Sequence, residues 1–219
     1  MTASYNVILF YLDGTLVDTS IGIYHSYQAA LSEFDCSISR EVLVSHIGPP
    51  APEVFKTLFP HLFSNQINLK KVLHLQRAYY RHKGITESEP YPGIMNVLQA
   101  LKKAGKTLCV ATSKPTVFAK KIVDHQNMSS YFDVIVGSTL NLSRTKKADV
   151  IAQVLKKFLF MPRKNIVMIG DRRHDIDGAV ENHIDTIGVT YGFGSENEIR
   201  NAKPTHIAHN SAELLAKLL

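Results

Sequence analysis

Short apolar runs alternate with amphipathic stretches along this chain, and the alternation predicts an α/β fold with a mostly parallel, Rossmann-like sheet. Residues 7–11, 107–111, 134–136, 166–169 and 184–189 read as strands. Between them, 93–104, 115–125, 147–158 and 176–182 read as helices; in the first, Ile94, Leu98 and Leu101 fall on one face.

The interval between the first two strands breaks the rhythm. A parallel crossover needs about a dozen residues, yet this one runs from 12 to 106. It reads as helices over 22–33, 40–46, 52–58 and 66–83, punctuated by Pro49-Pro50 and Pro60. The pattern predicts an all-helical module, residues 16–89, inserted into a discontinuous α/β core of residues 1–15 and 90–219. Pro90-Tyr91-Pro92-Gly93 stops helix continuation and marks the return to the core. No internal repeat or low-complexity tract interrupts this layout.

Composition narrows the class. The 45% hydrophobic content supports a substantial core. No apolar run reaches the roughly 18 residues of a membrane span, and the N-terminus carries no signal-peptide pattern. No membrane partner is expected. Cys36 and Cys109 lie in unlike contexts and read as reduced thiols, so a cytoplasmic location is expected. The net charge of +6 suits attraction of anionic substrates such as phosphate esters. It also suits nucleic acid. Lys and Arg are scattered, however, with no basic stripe interleaved with aromatics, so no nucleic-acid partner is expected. No long unpaired apolar stripe stands out, and a monomer is the default.

In an open parallel sheet, ligands bind at the carboxyl ends of the strands. Four polar clusters fall there: Asp13-Gly14-Thr15, Thr112-Ser113-Lys114, Arg144-Thr145-Lys146-Lys147, and Gly170-Asp171 running on to Asp175. Each alone is common turn or helix-start chemistry; their shared edge is what carries meaning. Asp171 and Asp175 are hard oxygen donors that suit Mg²⁺, and either would otherwise cap the helix expected from 176. Asp177 reads as an exposed first-turn carboxylate. Thr112 is expected at a helix N-terminus, where a hydroxyl and backbone N–H groups cradle phosphate. A lysine beside it would neutralise a transferring phosphoryl group. Asp13 could protonate a leaving oxygen.

These motifs resemble the haloacid dehalogenase-like hydrolases of the phosphoglycolate phosphatase and 5'-nucleotidase type, over essentially the full length. The family's opening motif, Asp-x-Asp-Gly-Thr, aligns with Tyr11-Leu12-Asp13-Gly14-Thr15. Its second motif falls at Thr112, its third at Lys147 with Lys146 as fallback, and its fourth at Gly170-Asp171 with Asp175. The inserted helices resemble the family's cap, Ile47-Gly48-Pro49-Pro50 its substrate-specificity loop, and Tyr191-Gly192-Phe193-Gly194 a loop of this subgroup. The resemblance implies a Mg²⁺-dependent phosphomonoesterase acting on a small phosphorylated metabolite. It implies catalytic roles for position 11, Asp13, Thr112 and Lys147. Phosphate contacts would come from Gly14, Thr112, Ser113, Lys147, Gly48 and Pro49. The metal would be held by the Asp13 backbone carbonyl, Asp171 and Asp175.

One position departs. By resemblance, residue 11 is the Asp that attacks phosphorus and also ligates magnesium; here it is Tyr11. A phenol with a pKa near 10 is a poor nucleophile at neutral pH and brings no formal charge to a cation. Weakened magnesium binding and an inactive or severely impaired chain are expected, with a non-catalytic phosphate-ligand binder as the alternative. Tyr is also a good strand former at a sheet's end. Asp and Tyr codons differ by one base, so a cloning or sequencing change in an ordinary phosphatase is a further reading of Tyr11. Shifting the frame, so that Asp13 attacks, would leave Thr15 where the acid/base belongs.

Overall fold

The structure is a computed structural model describing residues 5–141 and 143–219; residues 1–4 of the expected first core segment lie outside it. The chain divides into two compact units, Met1–Asp18 with Pro90–Leu219, and Thr19–Glu89.

The first unit is built on a parallel sheet. β1 (Val7–Phe10), β4 (Thr107–Pro115), β5 (Val134–Ser138), β6 (Ile166–Gly170), β7 (Asp185–Val189) and β8 (His206–Ala208) run in the order β5-β4-β1-β6-β7-β8. All four residues of β1 are buried, as expected of a central strand covered on both faces. Phe10 stands level with Val110 of β4 and Ile169 of β6. That register brings the segments following β1, β4 and β6 to a common edge. Helices α6 (Ile94–Lys103), α7 (Thr116–His125), α8 (Lys147–Leu155), α9 (Arg173–Glu181), α10 (Glu196–Ala202) and α11 (Ser211–Leu218) complete the unit. Strand alternation sends Val7, Leu9 and Tyr11 to one face. There they join Ala111, Val150, Val154, Met168 and Ala179 in one apolar layer.

The second unit is helical: α1 (Ser20–Leu31), α2 (Arg40–Ser45), α3 (Ala51–Leu58), α4 (Pro60–Phe63) and α5 (Gln66–Tyr79), which runs into a π-helical turn at Tyr80–Gly84. Its core is aromatic. Tyr27 stacks on Phe55 at 4.3 Å, and Phe55 meets Phe63 edge-on at 5.3 Å. The Asn65 side chain caps α5 by accepting from the Ile67 N–H at 2.8 Å. The chain leaves the first unit through β2 (Val17–Asp18) and returns through β3 (Glu89–Pro90), two short strands that pair.

Two elements differ from the sequence expectation near the site. β4 does not stop at Ala111; it continues through Thr112 to Pro115, and α7 starts only at Thr116. Pro115 disfavours helical backbone at Lys114, which keeps the segment extended. Thr112 therefore sits on a strand, not at a helix N-terminus. Helix α9 begins at Arg173, three residues before Ile176, so Asp175 lies inside its first turn. Among the described residues, no helix is long and apolar enough to cross a membrane.

Candidate active site

After β1 the chain turns tightly. The Tyr11 N–H still donates to the Ile169 carbonyl at 2.8 Å, holding residue 11 against β6. The Leu12 carbonyl then accepts from the N–H groups of Leu16 and Val17, each at 3.0 Å. Gly14 makes this turn possible. Its φ of +83° suits glycine, and a Cβ there would lie 2.1 Å from Asp171 Oδ2. Gly192 is confined in the same way, since its Cβ would lie 2.1 Å from the Gly14 carbonyl oxygen.

Two buried ion pairs occupy the edge. Asp13 Oδ1 lies 2.9 Å from Lys114 Nζ, and Asp175 Oδ1 lies 2.7 Å from Lys147 Nζ. The second contact lacks hydrogen-bond geometry, so both atoms keep unused bonding capacity in a buried setting. The other Asp175 oxygen, Oδ2, accepts from the Arg172 N–H at 3.2 Å and so caps α9. The N-cap position expected of this residue falls instead on Arg172, because α9 starts earlier; Asp175 lies at the third helical position and reaches back with one oxygen.

Asp171 is wholly buried. It accepts from the Thr15 hydroxyl and from the Phe193 N–H, each at 2.9 Å. Burial, and then the charge of Asp175, push its carboxyl up to about 7; the Phe193 N–H, the Thr15 hydroxyl and Arg172 oppose the rise. The Tyr191 hydroxyl donates to the Thr15 carbonyl at 3.1 Å, tying the 191–194 loop to the turn after β1. Arg172 is held by Glu198, Nε to Oε1 at 2.9 Å.

Tyr11 is 2% exposed, and Lys147 Nζ stands 3.5 Å from its ring centroid. This is cation–π contact in a desolvated setting, where such pairs are strongest. Burial first, then the charges of Asp13, Asp175 and Asp171, hold its phenol well above the ordinary value; Arg172 opposes them weakly. The neutral phenol is therefore the form present at neutral pH.

The edge thus brings together Tyr11, Asp13, Gly14, Thr112, Ser113, Lys147, Asp171 and Asp175. Lys147 is buried whereas Lys146 is exposed. Gly48 and Pro49 lie in the second unit, in the bend between α2 and α3. Asp177 pairs with Arg173 at 3.0 Å. Sequence reasoning placed Lys114 at this edge without assigning it a partner. Its pairing with Asp13 depends on the β1–β4 register, to which only its position two residues after Thr112 points. The Thr112 hydroxyl accepts from the Lys114 N–H at 3.1 Å and bends this strand end.

The donor set fits a magnesium ion sparsely. Asp171 and Asp175 are buried side by side, and a cation would relieve their mutual repulsion. Tyr11 offers no charge, Asp13 is committed to Lys114, and Lys147 already faces Asp175. Among the described residues, no three His, Cys, Asp or Glu side chains form a metal-binding group.

Known proteins share this architecture. A sequence model described as "Haloacid dehalogenase-like hydrolase" matches residues 8–189. A 5'-nucleotidase of Pseudomonas aeruginosa is 38% identical over 96% of this chain and 94% of its own length. A tyrosine-protein kinase PtkA of Mycobacterium tuberculosis is 34% identical over 93% of this chain and 68% of its own. The crystal structure of a predicted phosphatase from Clostridium acetobutylicum superposes with a TM-score of 0.92, at 39% identity, covering 98% of each chain.

Proposed function

The chain belongs to the haloacid dehalogenase-like hydrolases, and on that premise we propose that it is a phosphomonoester-binding member whose hydrolytic step is stalled at Tyr11. The observation that carries this reading is the buried Tyr11 ring beneath the Lys147 ammonium, at 3.5 Å. The ring fills the place of an attacking carboxylate, and its phenol stays protonated.

The remaining groups retain the chemistry of a phosphatase. Lys147 and Lys114 supply positive charge for phosphate oxygens. Thr112 and Ser113 supply hydroxyls and backbone groups. Asp13, paired with Lys114, would give a proton to a leaving alkoxide and take one from water. Asp171, Asp175 and the Asp13 backbone carbonyl would hold Mg²⁺ weakly. That ion, when bound, would offset charge on the phosphoryl oxygens. By family resemblance, the helical unit Thr19–Glu89 would correspond to the cap, and Gly48 and Pro49 to its substrate loop.

The substrate class is a small phosphomonoester. A nucleoside monophosphate is the first to try, because a 38%-identical relative is named a 5'-nucleotidase; phosphoglycolate is the second. Titration calorimetry of the unmodified chain with each compound should detect binding, while phosphate release stays near background. Rapid release would overturn the stalled-site reading, and no binding by any member of the panel would overturn the binder.

A further inference from the structure

The turn between α8 and β6 presents an apolar tip that the fold does not use. The Met161 N–H donates to the Phe158 carbonyl at 3.1 Å, closing a turn with Leu159 and Phe160 at its centre. Central turn positions favour Gly, Pro, Asn, Asp and Ser; here they hold two large apolar side chains. Phe158 and Met161, on either side, pack into the core layer. Leu159 and Phe160 point out, at 73% and 101% exposure. Anchored flanks and an exposed apolar tip make a stiff projection, further stiffened by Pro162 and the short helical turn Arg163–Asn165.

The charge around this tip has one sign. Lys156, Lys157, Arg163 and Lys164 flank it and are exposed, and no acidic residue occurs between Asp149 and Asp171. The helix-to-strand loops of a parallel sheet share its amino edge, so Lys103 and Lys106 before β4 and Lys203 before β8 lie along the same rim. Carboxylates of that rim include Asp124, which accepts from the Ser129 hydroxyl at 3.3 Å, Asp133, which pairs with Lys102 at 3.1 Å, Asp185, which accepts from the Tyr5 hydroxyl at 2.9 Å, and Glu181. The candidate active site lies at the opposite, carboxyl edge.

We propose that the Phe158–Met161 turn and its basic rim form a docking surface for an anionic lipid bilayer. Leu159 and Phe160 would enter the headgroup–acyl boundary while the surrounding Lys and Arg meet anionic headgroups. The pairing of exposed apolar tip and cations selects this occupant. A polyanion such as nucleic acid would use the charge and leave Phe160 idle. A planar charged surface also suits cations spread along a rim better than a single acidic pocket does. Docking this way leaves the opposite edge facing the aqueous side.

The chain contains no tryptophan, so Phe160→Trp makes a clean reporter. Full-length Phe160→Trp should shift its emission to the blue with phosphatidylserine-containing vesicles and stay unshifted with pure phosphatidylcholine. In co-sedimentation, the unmodified chain should pellet with anionic vesicles and be released by salt. Leu159→Ser with Phe160→Ser should weaken the partition by roughly tenfold or more, the size expected for withdrawing two apolar side chains from lipid. Arg163→Gln with Lys164→Gln should weaken it severalfold. Both pairs are exposed, and unchanged thermal unfolding would show that each variant folds. An unshifted tryptophan, or sedimentation insensitive to the Leu159/Phe160 change, would overturn the proposal. So would equal binding to neutral vesicles.

Discussion

Lys147 Nζ is shared between Tyr11 and Asp175: it stands 3.5 Å from the ring centroid of the first and 2.7 Å from a carboxylate oxygen of the second. The ammonium is buried, so its desolvation must be met by these two groups. Tyr11 thus stabilises the resting site through its π face where, by family resemblance, an attacking carboxylate would stand.

Removing that ammonium should be costly. Lys147→Met keeps the apolar stem but leaves Asp175 buried without its counter-charge, a change that typically costs about 3–5 kcal/mol. Urea unfolding, extrapolated to water, should show a loss of unfolding free energy of that order. A loss under about 1 kcal/mol would mean that the pair contributes little to the folded state.

Asp171 should make stability fall with rising pH. Its carboxyl moves from 3.8 to about 7 on folding. Between those values the folded chain holds a proton that the unfolded chain has lost, so the group's contribution declines as pH climbs through the window. Asp171→Asn keeps an acceptor for the Phe193 N–H and removes the titration. In chelator-treated samples the variant's melting temperature should rise relative to the parent from about pH 4 to about pH 7. A gap that stays constant across that range would contradict the burial argument.

Magnesium should bind weakly to the chain as it stands, because Asp13 at this edge is committed to Lys114 and Asp175 already faces Lys147. Tyr11→Asp should bind Mg²⁺ more tightly in calorimetric titration, since hard cations gain from each added anionic oxygen. Equal affinities would remove residue 11 from the cation site.

The sheet was legible because its strands are short apolar runs buried on both faces; Val7–Phe10 and Ile166–Gly170 were read almost to their ends. β8, His206–Ala208, was missed because three residues, the first of them an exposed His, leave no apolar run to detect. The start of α9 was missed because Arg173 and His174 are polar and exposed, so hydrophobic periodicity begins only at Ile176. Thr112 was misplaced because a polar Thr-Ser-Lys segment after an apolar run resembles a strand end, whereas Pro115 keeps it extended. At the site, residue types were readable from motif spacing. Which lysine meets which aspartate was not, because Lys114 reaches Asp13 across about a hundred residues of chain through the β1–β4 register.

The two crossings between units, at Val17–Asp18 and Glu89–Pro90, should be the first sites of limited proteolysis if the helical unit works as a cap that opens for substrate. Mass spectrometry of early fragments would locate the cuts. First cleavage within β4 or β6 would argue against a separable cap.

If Tyr11 is what stalls the site, an attacking carboxylate restored at residue 11 should restore turnover. Loss of a covalent nucleophile costs on the order of 10⁶ in turnover, by the subtilisin example, and Tyr11 adds bulk to that loss. Phosphate release from a generic aryl phosphate, with and without Mg²⁺, should be compared for the unmodified chain, Tyr11→Asp, and Tyr11→Asp combined with Asp13→Asn. Almost no release is expected from the first, Mg²⁺-dependent turnover from the second, and loss of most of that gain in the third. Substantial Mg²⁺-dependent turnover by the carefully purified unmodified chain would contradict the stalled-site reading.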